Sequence, residues 1–283
     1  MRHSRQRMAE RDTLLVDAAR LLNRSALLLA GSVLADSGVE HYRGTFHNRA
    51  MIAPLVASTL SVIASVHGHA DDTPARHRLR DAVHVASAAA GLAGSAFHLY
   101  NVTKRPGRFS WHNLFYGAPL GAPLALLLSG LLGATGERLR ACPAAAPRLA
   151  GLPAGRALAA LVAGGLVGTL GEVGLLHFRG AFQHRAMFAP LVAPPVAALA
   201  AAHIALSRPR AARPRCRMWM RATAVLGIVG VALHARGVAR QMGGWRNWSQ
   251  NVLSGPPLPA PPSFTALAIA GLAATALAER EAQ

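Results

Sequence analysis

The chain has 283 residues, of which 52% are hydrophobic and only 15% are charged, and its formal net charge is +18. A soluble domain of this size usually carries about 25% charged residues, so the composition argues against an ordinary soluble protein. The two cysteines, Cys142 and Cys216, fall in loops that the topology below places in the cytoplasm, so no disulfide is implied.

Apolar residues come in eight blocks that are separated by short polar stretches. With their flanks, most blocks reach about 17–20 residues, the length that crosses a hydrocarbon core about 30 Å thick. We therefore predict an all-α integral membrane protein with eight transmembrane helices, although the seventh block is short and the eighth is rich in alanine. The blocks in chain order are Ser25–Val39, Ala50–Val66, Ala82–Phe97, Leu114–Leu132, Leu158–Leu176, Ala186–Leu206, Thr223–Leu233 and Phe264–Leu277.

The arginines follow the pattern expected of membrane topology. They are concentrated in the N-terminal tail and in the connections after every second helix, as in "RPRAARPRCRMWMR" at 208–221. Because Lys and Arg accumulate at the cytoplasmic ends of membrane helices, this pattern predicts that both termini are cytoplasmic. It also explains the net charge without nucleic-acid binding. The Arg- and Ala-rich composition is typical of a GC-rich bacterial genome, so we predict a bacterial inner membrane protein.

One polar phrase occurs twice. "HYRGTFHNRAMIAPLVA" at 41–57 returns as "HFRGAFQHRAMFAPLVA" at 177–193, an offset of 136 residues. After a two-residue slip, "NLFYGAPLGAP" at 113–123 matches "NVLSGPPLPAP" at 251–261. The chain is therefore predicted to be a duplication of a four-helix unit. Since each unit has an even number of spans, the two repeats should be parallel, related by an axis along the membrane normal.

The predicted organisation has four parts. A cytoplasmic N-terminal tail with an amphipathic segment covers residues 1–23, and the first four-helix repeat covers 24–135. A cytoplasmic linker at 136–157 leads to the second repeat at 158–283. The first helix is expected to remain as an anchor, because no small-residue cleavage site follows it.

Histidines that occur at equivalent places in both copies are the first candidate site residues. The predicted topology places four of them at the outer ends of helices and two at the inner ends. Haem iron takes axial histidines from facing helices, so the outer four are candidate haem ligands, with haem b as the leading cofactor. The outer four are His41, His98, His177 and His234, and the inner two are His67 and His203.

Glycines accompany the second outer histidine of each copy. At 3.6 residues per turn, Gly91 and Gly94 lie on one stripe with the histidine that follows them, and Gly227 and Gly230 repeat this spacing. Glycines on a membrane helix allow a close approach to the backbone. Another helix is the usual occupant, and a flat macrocycle is the alternative.

Four arginines next to the outer histidines are kept in both copies: Arg43, Arg49, Arg179 and Arg185. Positive charge on the outer side opposes the topological bias, so it requires a reason of its own. A guanidinium presents a planar fork to carboxylate or phosphate, so haem propionates or another anionic ligand would fit. Lipid headgroups and loop carbonyls are the alternative partners.

Two acids lie inside predicted spans at equivalent positions, Asp36 and Glu172. An acid in a membrane span is costly and by default marks a functional site. These acids are predicted to serve a proton path, or else to form an ion pair with Arg43 or Arg179. His47, His69, His77 and His84 have no counterpart in the second copy and are expected to be ordinary polar or loop residues.

Three functions remain open at this point. The first is a redox subunit that uses b-type haem, quinol or both, with a quinone or a periplasmic redox protein as its partner. The second is a transporter or channel for a small anionic solute, with proton coupling at the two acids. The third is a membrane scaffold or assembly factor that docks a periplasmic partner.

Overall fold

The computed structural model describes residues 2–117, 119–143, 145–207 and 212–281, with the side chains of 2–12 and 212–213 excepted. The described chain is almost entirely helical, apart from an antiparallel pair of two-residue strands, β1 (Arg148–Leu149) and β2 (Leu152–Pro153). Short 3₁₀ helices precede three of the α-helices, at Arg49–Ile52, Arg185–Leu191 and Gly244–Asn247. The α-helices are α1 Arg2–Arg43, α2 Ala53–Ala70, α3 Arg78–Thr103, α4 Trp111–Tyr116, α5 Gly121–Arg140, α6 Ala154–Arg179, α7 Ala193–Leu206, α8 Ala212–Ala239, α9 Trp248–Ser254 and α10 Pro262–Arg280.

Among the described residues, six helical segments are long and apolar enough to cross a membrane. This confirms an all-α protein whose helices are able to span a bilayer. The first and fourth of the eight predicted spans, in α1 and α5, are not among the six. Charged residues explain the difference, since α5 ends in "ERLR" and the apolar block of α1 contains Asp36 and lies between Arg24 and Glu40. The six segments are 49–70, 78–103, 154–179, 185–206, 214–239 and 262–280.

The two charged helices lie inside the bundle. Helix α1 packs against α2, α5 and α10, and α10 packs in turn against α6 and α8. Leu22 and Leu29 of α1 and Leu132 of α5 are completely buried. The outward faces of α2 and α8 instead expose large apolar side chains such as Ile63 and Ile228. This distribution suits a protein whose periphery meets lipid and whose central helices meet only protein.

The bundle has two ends. At the hairpin end, α1 and α6 finish and each is joined by a tight turn to the helix that follows, while α5 and α10 begin there. At the cluster end, α2 and α5 finish and α3 begins. Helix α1 runs without a break through residue 23, so the predicted N-terminal tail and first span form one continuous helix.

Glycines set the distance between neighbouring helices. A Cβ atom at Gly91 of α3 would overlap the backbone of Leu127 and Pro123 in α5, and one at Gly227 of α8 would overlap Thr265 and Pro261 in α10. The glycine face of each helix is therefore occupied by another helix. A macrocycle lying flat against these glycines has no room.

Candidate functional site

A cavity of about 1860 Å³ opens between the two halves of the chain. It lies at the hairpin end and is lined by α1, α5, α6, α8 and α10. Seven of the predicted site residues line it, together with two arginines, at the end of α8 and just after it, that the sequence did not single out. The predicted residues are Asp36, Arg43, Glu172, His177, Arg179, Gly230 and His234, and the additional arginines are Arg236 and Arg240.

Charges in this cavity are arranged in layers. On α1, Asp36 comes seven residues before Arg43, and on α6, Glu172 comes seven residues before Arg179. At about 1.5 Å per residue, each acid lies roughly 10 Å deeper along its helix than the arginine. Gly168 of α6 also lines the cavity. An added Cβ at this glycine would meet no described atom within 4 Å. Here the absent side chain leaves space for a ligand rather than for a helix.

The two acids do not form the ion pairs that were considered for them. Arg43 pairs with Glu40 at 2.8 Å, one turn away on the same helix. Glu172 accepts a hydrogen bond from the backbone N–H of Gly121 at the start of α5. Within the described residues neither Asp36 nor Glu172 has a basic group within 4.0 Å, and the two carboxylates are close enough to interact electrostatically. Both carboxylates therefore line the cavity without a salt bridge among the described residues, although Glu172 and Arg179 attract each other at longer range.

Each of the four outer histidines forms a hydrogen bond through Nδ1 to a backbone carbonyl of a neighbouring segment. Nδ1 of His41 lies 2.7 Å from the carbonyl oxygen of Met51, and Nδ1 of His177 lies 2.7 Å from that of Met187. The other two bind carbonyls of the segments that precede α5 and α10. Those bonds join His98 to Pro119 and His234 to Pro257, each at 2.7 Å. When Nδ1–H donates to a carbonyl, Nε2 keeps its lone pair and is able to bind a metal.

Only some of these residues come together. His177 and His234 line the cavity, whereas His41 and His98 do not. Arg49 and Arg185 lie exposed at the starts of 3₁₀ helices. In the part of the chain that the structure describes, no group of three His, Cys, Asp or Glu side chains is placed to hold a metal ion.

The two inner histidines have different surroundings. His67 lies 3.0 Å from a guanidinium nitrogen of Arg80, as part of a group of buried charges. Among the described residues, the side-chain hydrogen bond of His203, its counterpart, is with Ser207 of its own helix end at 3.1 Å. The repeated histidine therefore has a charged partner in the first half and a local one in the second.

A buried ion cluster occupies the cluster end of the first half. Arg80 donates two hydrogen bonds to the Glu137 carboxylate, both 3.0 Å long, and a third of 2.6 Å to Asp71. Arg140 caps the carbonyls of Gly68 and Asp71 and has its Nε 3.8 Å from Glu137. Glu137 and Arg140 have fully buried side chains. We call Asp71, Arg80, Glu137 and Arg140 the ion cluster.

The sequence analysis missed the ion cluster. It selected residues that are shared by the two copies, and at the places equivalent to Arg80 and Glu137 the second half has Cys216 and Thr275. Those two side chains also contact each other, at 3.5 Å. The signal available in the sequence was the charged ending "GERLR" of an apolar block, which was attributed to topology alone.

His84 corrects another expectation. It was expected to be an ordinary polar or loop residue, but it lies in α3, completely buried, with its ring against Gly133 of α5. Its counterpart Met220 lies against Gly271 in the same way. In each case, a glycine on the facing helix leaves space for the side chain. Because that helix is distant in the sequence, the local pattern around His84 did not indicate its burial.

Acid should weaken the ion cluster through Asp71, which lies in the connection after α2. Burial by itself raises the pKa of Asp71, but hydrogen bonds from the N–H and hydroxyl of Thr73 and from Arg80 outweigh it, so the pKa lies below its usual value. This stabilisation is present above the unfolded-state pKa of about 3.9 and is lost as the pH falls towards the folded-state pKa. We expect thermal unfolding in detergent to occur at lower temperature as the pH drops below 4.

Asp72 provides the matched control, because it is the exposed neighbour of Asp71. An Asp71→Asn variant should show a flatter acid limb of the stability profile, while Asp72→Asn should follow the wild-type curve. An unchanged acid limb in Asp71→Asn would contradict the assignment.

The molecule thus has two polar features, the layered cavity at the hairpin end and the ion cluster at the opposite end. The first combines residues from both halves of the chain, and the second belongs to the first half alone. Comparison of the chain with models of known families, with curated proteins and with solved structures finds no match.

Proposed function

We propose that the chain is a bacterial inner-membrane protein with eight spans, built as two parallel four-helix repeats with cytoplasmic termini. The equivalent hydrogen bonds of His41 and His177, and of His98 and His234, support a repeated unit. The central position of α1 and α5 supports their inclusion as spans, since helices surrounded by protein tolerate charges that lipid-facing helices do not.

We propose further that the protein is a proton-coupled transporter for a small anionic solute. The observation that carries this function is the layered cavity between the two halves, with arginines about 10 Å nearer the hairpin end than two unpaired acids. Many transporters bind their substrate at the interface of two structural repeats.

Each layer has a distinct role in this proposal. The guanidinium of Arg179, with Arg236 and Arg240 across the cavity, attracts the anionic group of the solute. The carboxylates of Asp36 and Glu172 lie deeper, where they would repel the anion when charged and accept it when protonated. Binding of the anion and of a proton would therefore be coupled, because each reduces the electrostatic cost of the other.

A two-step measurement tests this function. Purified protein in detergent is screened for thermal stabilisation by a panel of carboxylates and phosphates, and the best stabiliser is then used for uptake into vesicles. We expect an Asp36→Asn, Glu172→Gln double variant to bind the anion but to lose acceleration by a pH gradient. Arg179→Ala should weaken binding itself, by roughly 1–3 kcal/mol for one charged hydrogen-bonding partner. Arg49→Ala is the control, since Arg49 lies exposed outside the cavity.

A redox subunit with haem b is the second candidate. The observation in its favour is that His177 and His234 line one cavity and bind carbonyls through Nδ1, which leaves each Nε2 available to iron. Absorption spectra of the purified protein, oxidised and dithionite-reduced, separate the two functions. A Soret band lost in His234→Ala would favour the redox function, and a colourless folded protein that binds an anion would favour transport.

A further inference from the structure

The interior of the first half is polar where that of the second half is apolar. Helix α2 buries three serines against its neighbours, and α3 and α5 add three more and a histidine. The equivalent places in the second half are filled mainly by alanine, valine, leucine, proline and methionine. The serines of these three helices with their counterparts are Ser58 and Pro194, Ser61 and Ala197, Ser65 and Ala201, Ser87 and Thr223, Ser95 and Val231, and Ser129 and Leu267.

Several of these buried polar groups have no protein partner. Both ring nitrogens of His84 lack a hydrogen bond among the described residues, as do Oδ1 of Asn23 and Oγ of Ser65, although all three residues are completely buried. Leaving such a group unsatisfied costs about 1–3 kcal/mol. Proteins meet this cost with ordered water that bridges polar groups. Ordered water would satisfy the unpartnered groups of the first half in the same way.

The polar groups connect to the ion cluster at one end. Arg140 donates to the carbonyl of Gly68, and the Asn23 side chain fills the space against Gly68 between α1 and α2. His84 lies against Gly133, one helical turn along α5 from Glu137. The carboxylate, the amide and the imidazole thus occupy adjacent turns of the bundle.

The same series continues towards the cavity. One turn beyond Gly133, the Ser129 hydroxyl lies 3.1 Å from that of Ser61 and donates to the carbonyl of Ala26 at 2.8 Å. Leu29, one turn beyond Ala26 on α1, already lines the cavity. The gap from the serine pair to the cavity is therefore about one helical turn, roughly 5 Å.

A last polar group lies on the cavity side of this gap. The Ser32 hydroxyl is buried, has no protein hydrogen bond in the described chain, and lines the cavity. Four residues later on the same helix comes Asp36. Polar groups thus lie at successive turns from the ion cluster to the serine pair, and a further polar group, Ser32, precedes the cavity carboxylate. The apolar turn around Leu29 separates the serine pair from Ser32.

We propose that this polar interior is a proton path that leads from solvent at the cluster end to Asp36 in the cavity. A proton from water at the ion cluster binds a ring nitrogen of neutral His84, and the opposite nitrogen or the same one releases it to interior water. The Ser61 and Ser129 hydroxyls and water pass it on to the Asp36 carboxylate. One proton leaves the solvent and one O–H bond forms at the acid, with no change in electron count.

The charged groups around His84 suit this role. Arg80 and Asp81 interact with it from its own helix, and Glu137 interacts with it from α5. Burial has the largest effect and favours the neutral ring, and Arg80 acts in the same direction. The two carboxylates act in the opposite direction and favour the transient imidazolium. Water gives the proton a route between groups that are too far apart for direct hydrogen bonds.

A proton-flux assay without any solute tests the path independently of the transport function. Full-length protein is reconstituted into liposomes that contain the pH dye pyranine, and a potassium gradient with valinomycin drives protons. We expect wild-type vesicles to change internal pH faster than protein-free vesicles. His84→Met should lose this protein-dependent flux, while Met220→Leu, at the equivalent place in the second half, should keep it.

Methionine is the test residue because the second half already holds one against the equivalent glycine, so its size suits the site. A Ser61→Ala, Ser129→Ala double variant is the second test and should lose the flux while the thermal midpoint shows that the protein is folded. Wild-type flux equal to that of empty vesicles would overturn the path. Undiminished flux in either folded variant would also overturn it. Failure to find a transported anion would remove the proposed function and leave this result unaffected.

Discussion

Replacing Glu137 with threonine should lower the free energy of unfolding by about 3–5 kcal/mol, the usual cost of removing one partner of a buried ion pair. Glu137 is completely buried and accepts two hydrogen bonds from Arg80 and one from the backbone N–H of His77. Without it, Arg80 loses its two-point carboxylate partner and keeps, among the described residues, its contacts with Asp71 and His67. The measurement is denaturant unfolding in detergent micelles.

The second half of the chain supplies the matched control. An Arg80→Cys, Glu137→Thr double variant reproduces the Cys216 and Thr275 pair that packs at the equivalent place. The double variant should be more stable than Glu137→Thr alone, because it removes the buried Arg80 guanidinium that the single variant leaves without its main carboxylate. Arg140 loses its Glu137 neighbour equally in both variants. If the double variant is less stable than the single one, the loss in Glu137→Thr does not come from the unpaired charge.

Replacing Gly91 with alanine should destabilise the packing of α3 on α5. The new Cβ would overlap the backbone of Leu127 and the carbonyl oxygen of Pro123, and backbone atoms of a rigid helix have no rotamer to change. The helices must separate, at a cost of about 1–3 kcal/mol, typical of overpacked interiors. The measurement is the thermal midpoint of the purified protein.

Gly31 of α1 is the control for this substitution. An added Cβ there meets no described atom within 4 Å, so Gly31→Ala removes only the poor helix propensity of glycine. It should leave the protein unchanged or stabilise it by up to about 1 kcal/mol. Equal effects at Gly91 and Gly31 would contradict the close approach of α3 and α5.

The sequence predicted the helical class of the protein and two of the acids in its cavity. Eight apolar blocks predicted membrane helices, and six helical segments of the described chain have the required length and composition. Asp36 and Glu172 were singled out as costly charges in apolar spans, and both line the cavity. The prediction depended only on local sequence, because the cost of a charge in an apolar block does not require knowledge of its neighbours.

The site residues that were missed depend on contacts between distant segments. Histidine is common in loops, so the sequence around His84 does not indicate that it is buried. Its burial depends on Gly133 of another helix, which leaves space for the imidazole ring. Glu137 and Arg80 are separated by 57 residues, so no local pattern in the sequence connects them. Comparison of the two copies could not find them, since it retains shared residues and the ion cluster exists in one half only.

The sequence by itself determined that the chain is helical and apolar, that a polar phrase occurs twice, and which acids and arginines are unusual in such surroundings. These properties are local, since helix length, hydropathy and the cost of a buried charge are set by neighbouring residues. Only the tertiary structure decided which charges meet, that the glycine faces hold helices, and that the cavity combines residues of both halves. Those properties depend on which helices pack together, and packing is decided by the fit of side chains that lie far apart in the chain.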